Sequence, residues 1–416
     1  MVPLEVRDRF TGEVMGEIED GDLLLDWRAW QEESCKGLEG LTVEQRMEAV
    51  HWIARWLSAQ PEEIATELAR ESGKTVSESK NELLSSSLAM ARTASSFSSL
   101  LALTGSWKGG ERYFSLSSRG PVVCRFDASL PVLGISTPLA VSVLTGSPLA
   151  MLCEEGPSIT VARILKELPR AGLPVSAFRQ CTAAQGVADR ATHIDSTLRR
   201  DFGSFIGPVK PVVVLVDGDN DRVASDFVDS ATFSMGQAWA STGYLFAPQA
   251  VFEYVKNRVL EEVEQRMDLQ SPQGRLGAFT SERRREAWLG SIQSQVSRGA
   301  VPIGPSISWK VPVLEASGLN PERGEPGPYM FLSWYRDLES LGQHIRSLGS
   351  SLVYLYTEDE GVARAFFRKG GMSVMLNSPP ASVVSLAEMA LFSNGSPGPE
   401  ETILNCVRRR ELIFLG

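Results

Sequence analysis

A chain of 416 residues is too long for one hydrophobic core, so two sizeable lobes are expected. Hydrophobic residues at 43% and charged residues at 22% are ordinary for a globular protein. Lys plus Arg number 41 against 51 Asp plus Glu, a net charge of -10 that argues against a nucleic acid or an anionic membrane as partner. The densest basic runs, Arg283-Arg284-Arg285 and Arg408-Arg409-Arg410, are short and read as solvated faces or subunit contacts. Five scattered cysteines, with no C-x-x-C pair, give neither a disulfide framework nor a zinc site, and His51, His193 and His344 stand alone. The segment Met1-Val2-Pro3-Leu4-Glu5 has no signal pattern and no apolar run reaches the length of a membrane span, so a cytoplasmic, soluble protein is expected.

In chain order, Leu4 to Glu19 reads as a hairpin turning at Thr11-Gly12. A helical block follows to about Leu103. Thr42-Val43-Glu44-Gln45 is a capping box ahead of the apolar face Met47, Val50, Ile53, Ala54 and Leu57. Pro61 suits a first helical turn and Gly73 a C-terminal cap. A small-residue helix runs from about Val76 to Leu103. Tyr113–Ser117 and Val122–Phe126 read as strands. From Pro131 the rhythm changes: a strand at Val132–Ile135, a helix over Leu139–Leu149, another from Ile159 to Ala171, a buried strand at Val212–Val216 and a helix from Asp221 to Ser234. The second half gives a strand at Gly243–Phe246, helices at Phe252–Val263, Ser281–Arg298 and Glu358–Phe367, and strands at Met330–Trp334, Leu352–Tyr356 and Ser373–Leu376. Glu411–Leu415 is a strand with no partner nearby in sequence. This alternation predicts an α/β protein with a mostly parallel, doubly wound sheet.

The order of these segments resembles the aldehyde dehydrogenase superfamily along nearly the whole chain. Thr11-Gly12-Glu13-Val14-Met15-Gly16-Glu17-Ile18 is similar to the family's "TGEVIGEV" hairpin, Glu71-Ser72-Gly73-Lys74 to its "E(T/L)GK" helix end, and Ala171-Gly172-Leu173-Pro174 to "AGLP". Lys210-Pro211-Val212-Val213-Val214-Leu215 is similar to "NPVIVL", Ala278-Phe279-Thr280-Ser281 to "G(P/A)(L/V)IS", and Gly370 to Asn377 to "AG.V.VN". No single match is specific; their order and spacing carry the resemblance. It implies a Rossmann-type NAD(P) domain over 1–111 and 127–230, a catalytic-type domain over 231–398, and a β oligomerisation arm over 112–126 and 399–416 that crosses to another subunit. A homo-oligomer, dimer or tetramer, or a hetero-oligomer with an active relative, is the expected assembly.

The same resemblance locates the chemistry. Family enzymes attack an aldehyde with a cysteine thiolate, pass hydride to NAD(P), and release the thioester with a base-activated water. The nucleophile motif "GQ.C" falls on Gly236-Gln237-Ala238-Trp239, which puts Trp239 at the cysteine, with Ser241 and Thr242 as the nearby hydroxyls. The base motif "ELGGK.P" falls on Phe205 to Pro211, with Phe205 at the glutamate. The oxyanion motif "P(W/F)N.P" is placed on Ile135-Ser136-Thr137-Pro138, nominating Ser136. For the cofactor, the ribose lysine falls near Cys153-Glu154-Glu155, whose charge would repel a phosphate. The glycine turn is compressed into Gly203, Ser204 and Gly207, and the "E.FGP" motif falls on Gly324-Glu325-Pro326-Gly327-Pro328. Three readings follow: a pseudoenzyme with a structural or regulatory role, an oxidoreductase or acylating enzyme rebuilt around Ser241 or Cys153, or a binding module for a flat ligand between Trp239 and Phe205.

Overall fold

The computed structural model describes residues 4–18, 30, 37–38, 40–59, 62–102, 106–107, 110–153, 156–181, 192–195, 210–238, 241–265, 271–303, 311–315, 327–350, 352–370, 373–392, 403–404 and 406–415. Strands β1 (Leu4–Arg7) and β2 (Val14–Ile18) form the expected hairpin, with Gly12 left-handed at its turn. Helix α1 (Val43–Ser58) opens on a reciprocal box: Gln45 N donates to Thr42 Oγ1 at 3.2 Å and Thr42 N to Gln45 Oε1 at 2.9 Å. Helix α2 (Glu62–Ser72) stops at left-handed Gly73, and α3 (Val76–Ala102) follows after a short turn. Next come β3 (Ser106–Trp107), β4 (Gly110–Ser118) and β5 (Val122–Phe126).

One helix, α4 (Pro131–Thr145), replaces the strand expected at Val132–Ile135 and the helix expected over Leu139–Leu149. Pro131 enters in its first turn and left-handed Gly146 ends it. Every residue of α4 is buried, so no polar face marks its period. The chain continues through β6 (Leu149–Cys153), α5 (Ile159–Glu167), a 3-10 turn at Leu168–Ala171 forced by Pro169, β7 (Phe178–Cys181) and β8 (Thr192–Asp195). Strands β7, β6, β5 and β8 form a parallel sheet in that order. Its Val122, Cys124, Phe126, Leu149 and Met151 side chains share one core with α1, α3 and α4. On the other face Trp30 packs with Val123, Ala150, Leu152 and Cys181 and donates its indole N–H to Ser176 O at 2.7 Å.

The second lobe contains β9 (Val212–Leu215), α6 (Asn220–Thr232), β10 (Tyr244–Pro248), α7 (Phe252–Glu264), α8 (Glu282–Ser297), β11 (Val301–Pro302), β12 (Val313–Glu315) and β13 (Met330–Tyr335). It closes with α9 (Leu338–Leu348), β14 (Leu352–Tyr356), α10 (Glu360–Gly370), β15 (Ser373–Leu376) and α11 (Val383–Phe392). Its sheet runs β11-β12-β13-β10-β9-β14-β15, parallel except at the β11 edge. Strand β9 is central to that sheet, so the division placed after residue 230 moves back to before Val212. Strand β16 (Val407–Leu415) ladders antiparallel along all of β4, giving the tail the partner that its sequence neighbourhood lacks. Val122–Phe126, assigned above to the arm, belongs to the first lobe's parallel sheet; the arm sheet is β16-β4-β3.

Backbone meets backbone where the lobes join. Ala278 N donates to Gly73 O at 2.6 Å and Val76 N to Pro272 O at 2.7 Å. A Cβ on Gly277 would collide with Gly73 O, and one on Gly73 with Ala278 O. Only glycine permits this approach.

Candidate active site at the lobe junction

The segment Phe233–Gly236 after α6 carries three successive left-handed residues: Ser234 at φ 52, Met235 at φ 52 and Gly236 at φ 61. For the two non-glycine residues this costs about 1–2 kcal/mol each, so the surroundings must hold them. Gln237 does much of that. Its Nε2 donates to Ser234 O and to Ala278 O, each at 3.1 Å, and its Oε1 accepts from Thr280 N at 2.9 Å and Thr280 Oγ1 at 3.1 Å. The amide is fully buried and all its bonding capacity is used. Gly236 lies against the Gly327-Pro328 backbone, and Gly327 in turn lies against the Trp288 ring.

From the first lobe, Glu78 grips the same segment. It accepts Ser234 N at 3.0 Å and, as the third residue of α3, Thr75 N at 2.7 Å. Burial pushes its pKa up to about 7, against the pull of those two amides and of Lys74. Lys74 itself is sealed in an ion pair with Glu82 and donates to Ser129 O at 2.7 Å. The second oxygen of Glu82 accepts Val132 N and Leu133 N, neutralising the N-terminus of α4. Ser234 Oγ donates to Ser129 O at 3.3 Å, which ties the α6 turn to the start of α4. Behind the turn Lys210 is buried, donates Nζ to Gly327 O at 2.7 Å and stands 4.2 Å from the Tyr329 ring centre. Burial lowers its pKa to about 7.

Of the residues named from sequence, Trp239, Phe205, Gly203, Ser204, Gly207, Gly324 and Glu325 lie outside the described residues. Gly327 does meet the Gly236 turn. Ser241 is fully buried and gives its hydroxyl proton to Phe233 O at 2.8 Å. Ser136 is a correction: it sits inside α4 with Oγ donating to Leu133 O at 2.8 Å, where it cannot serve an incoming oxyanion. Pro131, not Pro138, opens this helix, and Ser129 lies two residues before it. Ser129 is buried, donates its N–H to Asp127 Oδ1 at 2.7 Å and meets the Gly236 turn through Ser234. Cys153 ends β6 in the other lobe, paired with Phe126 in register, and not on this turn.

The first-lobe sheet reverses its strand order between β5 and β8, and ligands of doubly wound sheets bind at the carboxyl ends of strands beside such a reversal. The described part of this crevice does not fit a dinucleotide. The amides opening α4 are taken by Glu82. Those opening α5 are taken by Glu71, by Ser158 Oγ and by Gln180. Neither helix start is free to hold a pyrophosphate. Asp127, directly after β5, is engaged by Arg284 of α8 at 3.0 and 3.3 Å. Among the described residues no cluster of His, Cys, Asp and Glu could hold a metal ion, and no helix is long and apolar enough to cross a membrane.

Residues 204–306 match the aldehyde dehydrogenase family. No curated protein matches the chain by sequence. Among solved structures, succinate-semialdehyde dehydrogenase of Burkholderia pseudomallei is similar at TM-score 0.82 and 16% identity, covering 100% of this chain and 95% of its own. Glyceraldehyde-3-phosphate dehydrogenase of Methanocaldococcus jannaschii, solved with NADP, gives 0.78 and 13%, over 99% of each chain. An NAD-dependent benzaldehyde dehydrogenase of Corynebacterium glutamicum gives 0.77 and 14%, over 100% and 95%. End to end the chain has the fold of the aldehyde dehydrogenases, and its residues 204–306 are similar to that family in sequence.

Proposed function

We propose that this chain is a pseudoenzyme of the aldehyde dehydrogenase fold, kept for a structural or regulatory role in an assembly. The observation that carries the reading is the state of the hydroxyls around the Gly236 turn. Ser234 and Ser241 both give their protons to main-chain carbonyls, and neither donates to an imidazole or a carboxylate. An unactivated hydroxyl is a weak nucleophile. Trp239 and Phe205, at the cysteine and glutamate by resemblance, offer neither nucleophile nor base. The buried Cys124 thiol faces the carbonyls of Arg125 and Gly134, within the first lobe.

What remains intact is scaffold: the Gln237 hub, the Glu78 grip, the Lys74–Glu82 pair and the glycine contacts between lobes. A chain that has lost chemistry while holding a strained turn this firmly has a use for its shape. The arm supplies a means of assembly with a second copy or an active relative. Strand β16 offers a nine-residue outer edge with no neighbouring strand among the described residues.

The test is an aldehyde panel, short-chain, aromatic and semialdehyde, with NAD and NADP, followed by reduced cofactor. No turnover above buffer is expected, with Ser241→Ala indistinguishable from the parent. Cofactor reduction that Ser241→Ala abolishes would establish instead the rebuilt oxidoreductase.

A further inference from the structure

The Asp127–Arg284 ion pair is placed where a doubly wound sheet receives its ligand. Asp127 follows the last residue of β5, next to the strand-order reversal, in the first lobe. Arg284 comes from the first turn of α8 in the second lobe, where Ser281 Oγ caps its N–H. Two guanidinium nitrogens meet the two carboxylate oxygens, Nη1 to Oδ1 at 3.3 Å and Nη2 to Oδ2 at 3.0 Å, in the paired-fork geometry that arginine makes with carboxylates. Oδ1 also accepts Ser129 N at 2.7 Å, so the carboxylate is fixed from both lobes. The side chains are only 9% and 17% exposed. Burial alone would raise the Asp127 pKa, but the guanidinium beside it holds it below the usual value.

We propose that this pair is an interlobe latch: the chain closes the crevice with its own guanidinium, in place of a bound dinucleotide. The inference rests on the pseudoenzyme reading, since a protein that must admit and release a cofactor cannot keep this crevice shut. It also gives the fold a reason to stay rigid without ligand. A buried pair adds little over an apolar contact, but removing one partner leaves a charge stranded. Single variants should therefore open the latch, and reversing both charges should restore it.

The experiment is hydrogen–deuterium exchange on the full-length protein without ligand, comparing the parent with Asp127→Asn, Arg284→Gln and the double variant Asp127→Arg/Arg284→Asp. Segments 127–133 and 281–288 should exchange about tenfold faster or more in each single variant, and more slowly again in the double. NAD and NADP should leave the parent's exchange unchanged. Single variants that exchange like the parent would overturn the latch. So would singles that open with a double that stays open, because the effect would then belong to packing. Protection of the same two segments by NAD in the parent would overturn it as well. Aldehyde turnover is a separate readout, so the function reading can fail while the exchange pattern stands.

Discussion

Replacing Gly236 by alanine should lower the unfolding free energy by about 4 kcal/mol, the sum of a left-handed penalty and a severe overlap. The backbone there has φ 61, and the added Cβ would be driven into the carbonyl of Gly327 and the nitrogen of Pro328. These atoms are main chain and cannot rotate away, and Gly327 is itself wedged against Trp288. Gly172→Ala is the matched control. It has a similar φ of 79 but nothing among the described residues within 4 Å of the new Cβ, so it should cost only about 1–2 kcal/mol. Urea denaturation of both variants decides the matter. Equal costs would mean that the turn yields, and that the junction is softer than its contacts imply.

That contrast marks where sequence was legible. Local signals were clear: the Thr42–Gln45 box, Ser281 at the start of its helix and Gly73 as a left-handed stop stand where residue chemistry puts them. Three kinds of feature were not. A helix buried on every side carries no polar stripe, so Pro131–Thr145 reads as a strand and a helix, and the oxyanion motif placed on Pro138 falls on a serine inside that helix. Strand pairing is non-local, and nothing in Val122–Phe126 says whether its neighbours are arm strands or β6 and β8. The contacts that build the site are longer in range still. Glu78 meets Ser234 across 156 positions, and Asp127 meets Arg284 across 157. Those side chains are ordinary in sequence and acquire meaning only when the lobes close.

Two of them should leave opposite marks on the pH dependence of stability. Glu78 holds its proton more tightly in the folded chain, with a pKa of about 7 against 4.5. Its contribution is therefore full below pH 4.5 and is lost as pH rises through 7. Lys210 holds its proton less tightly, at about 7 against 10.5, so its contribution is full above pH 10.5 and is lost as pH falls through 7. The two losses meet near neutrality. Relative to a Glu78→Gln/Lys210→Met double variant, the parent should be least stable near pH 7 and gain toward both pH 5 and pH 9. Each limb is on the order of 2–3 kcal/mol, with the Gly327 carbonyl and the Tyr329 ring face offsetting part of the lysine's desolvation. Glu78→Gln alone should flatten only the acid limb, and Lys210→Met only the alkaline one. The methionine variant should also be the more stable protein at pH 7, because a buried amine with no carboxylate partner among the described residues opposes folding more than its one hydrogen bond to a carbonyl supports it. Denaturation midpoints of the four proteins at pH 5, 7 and 9 test this, and parallel profiles across the set would mean that neither group is desolvated as its burial implies.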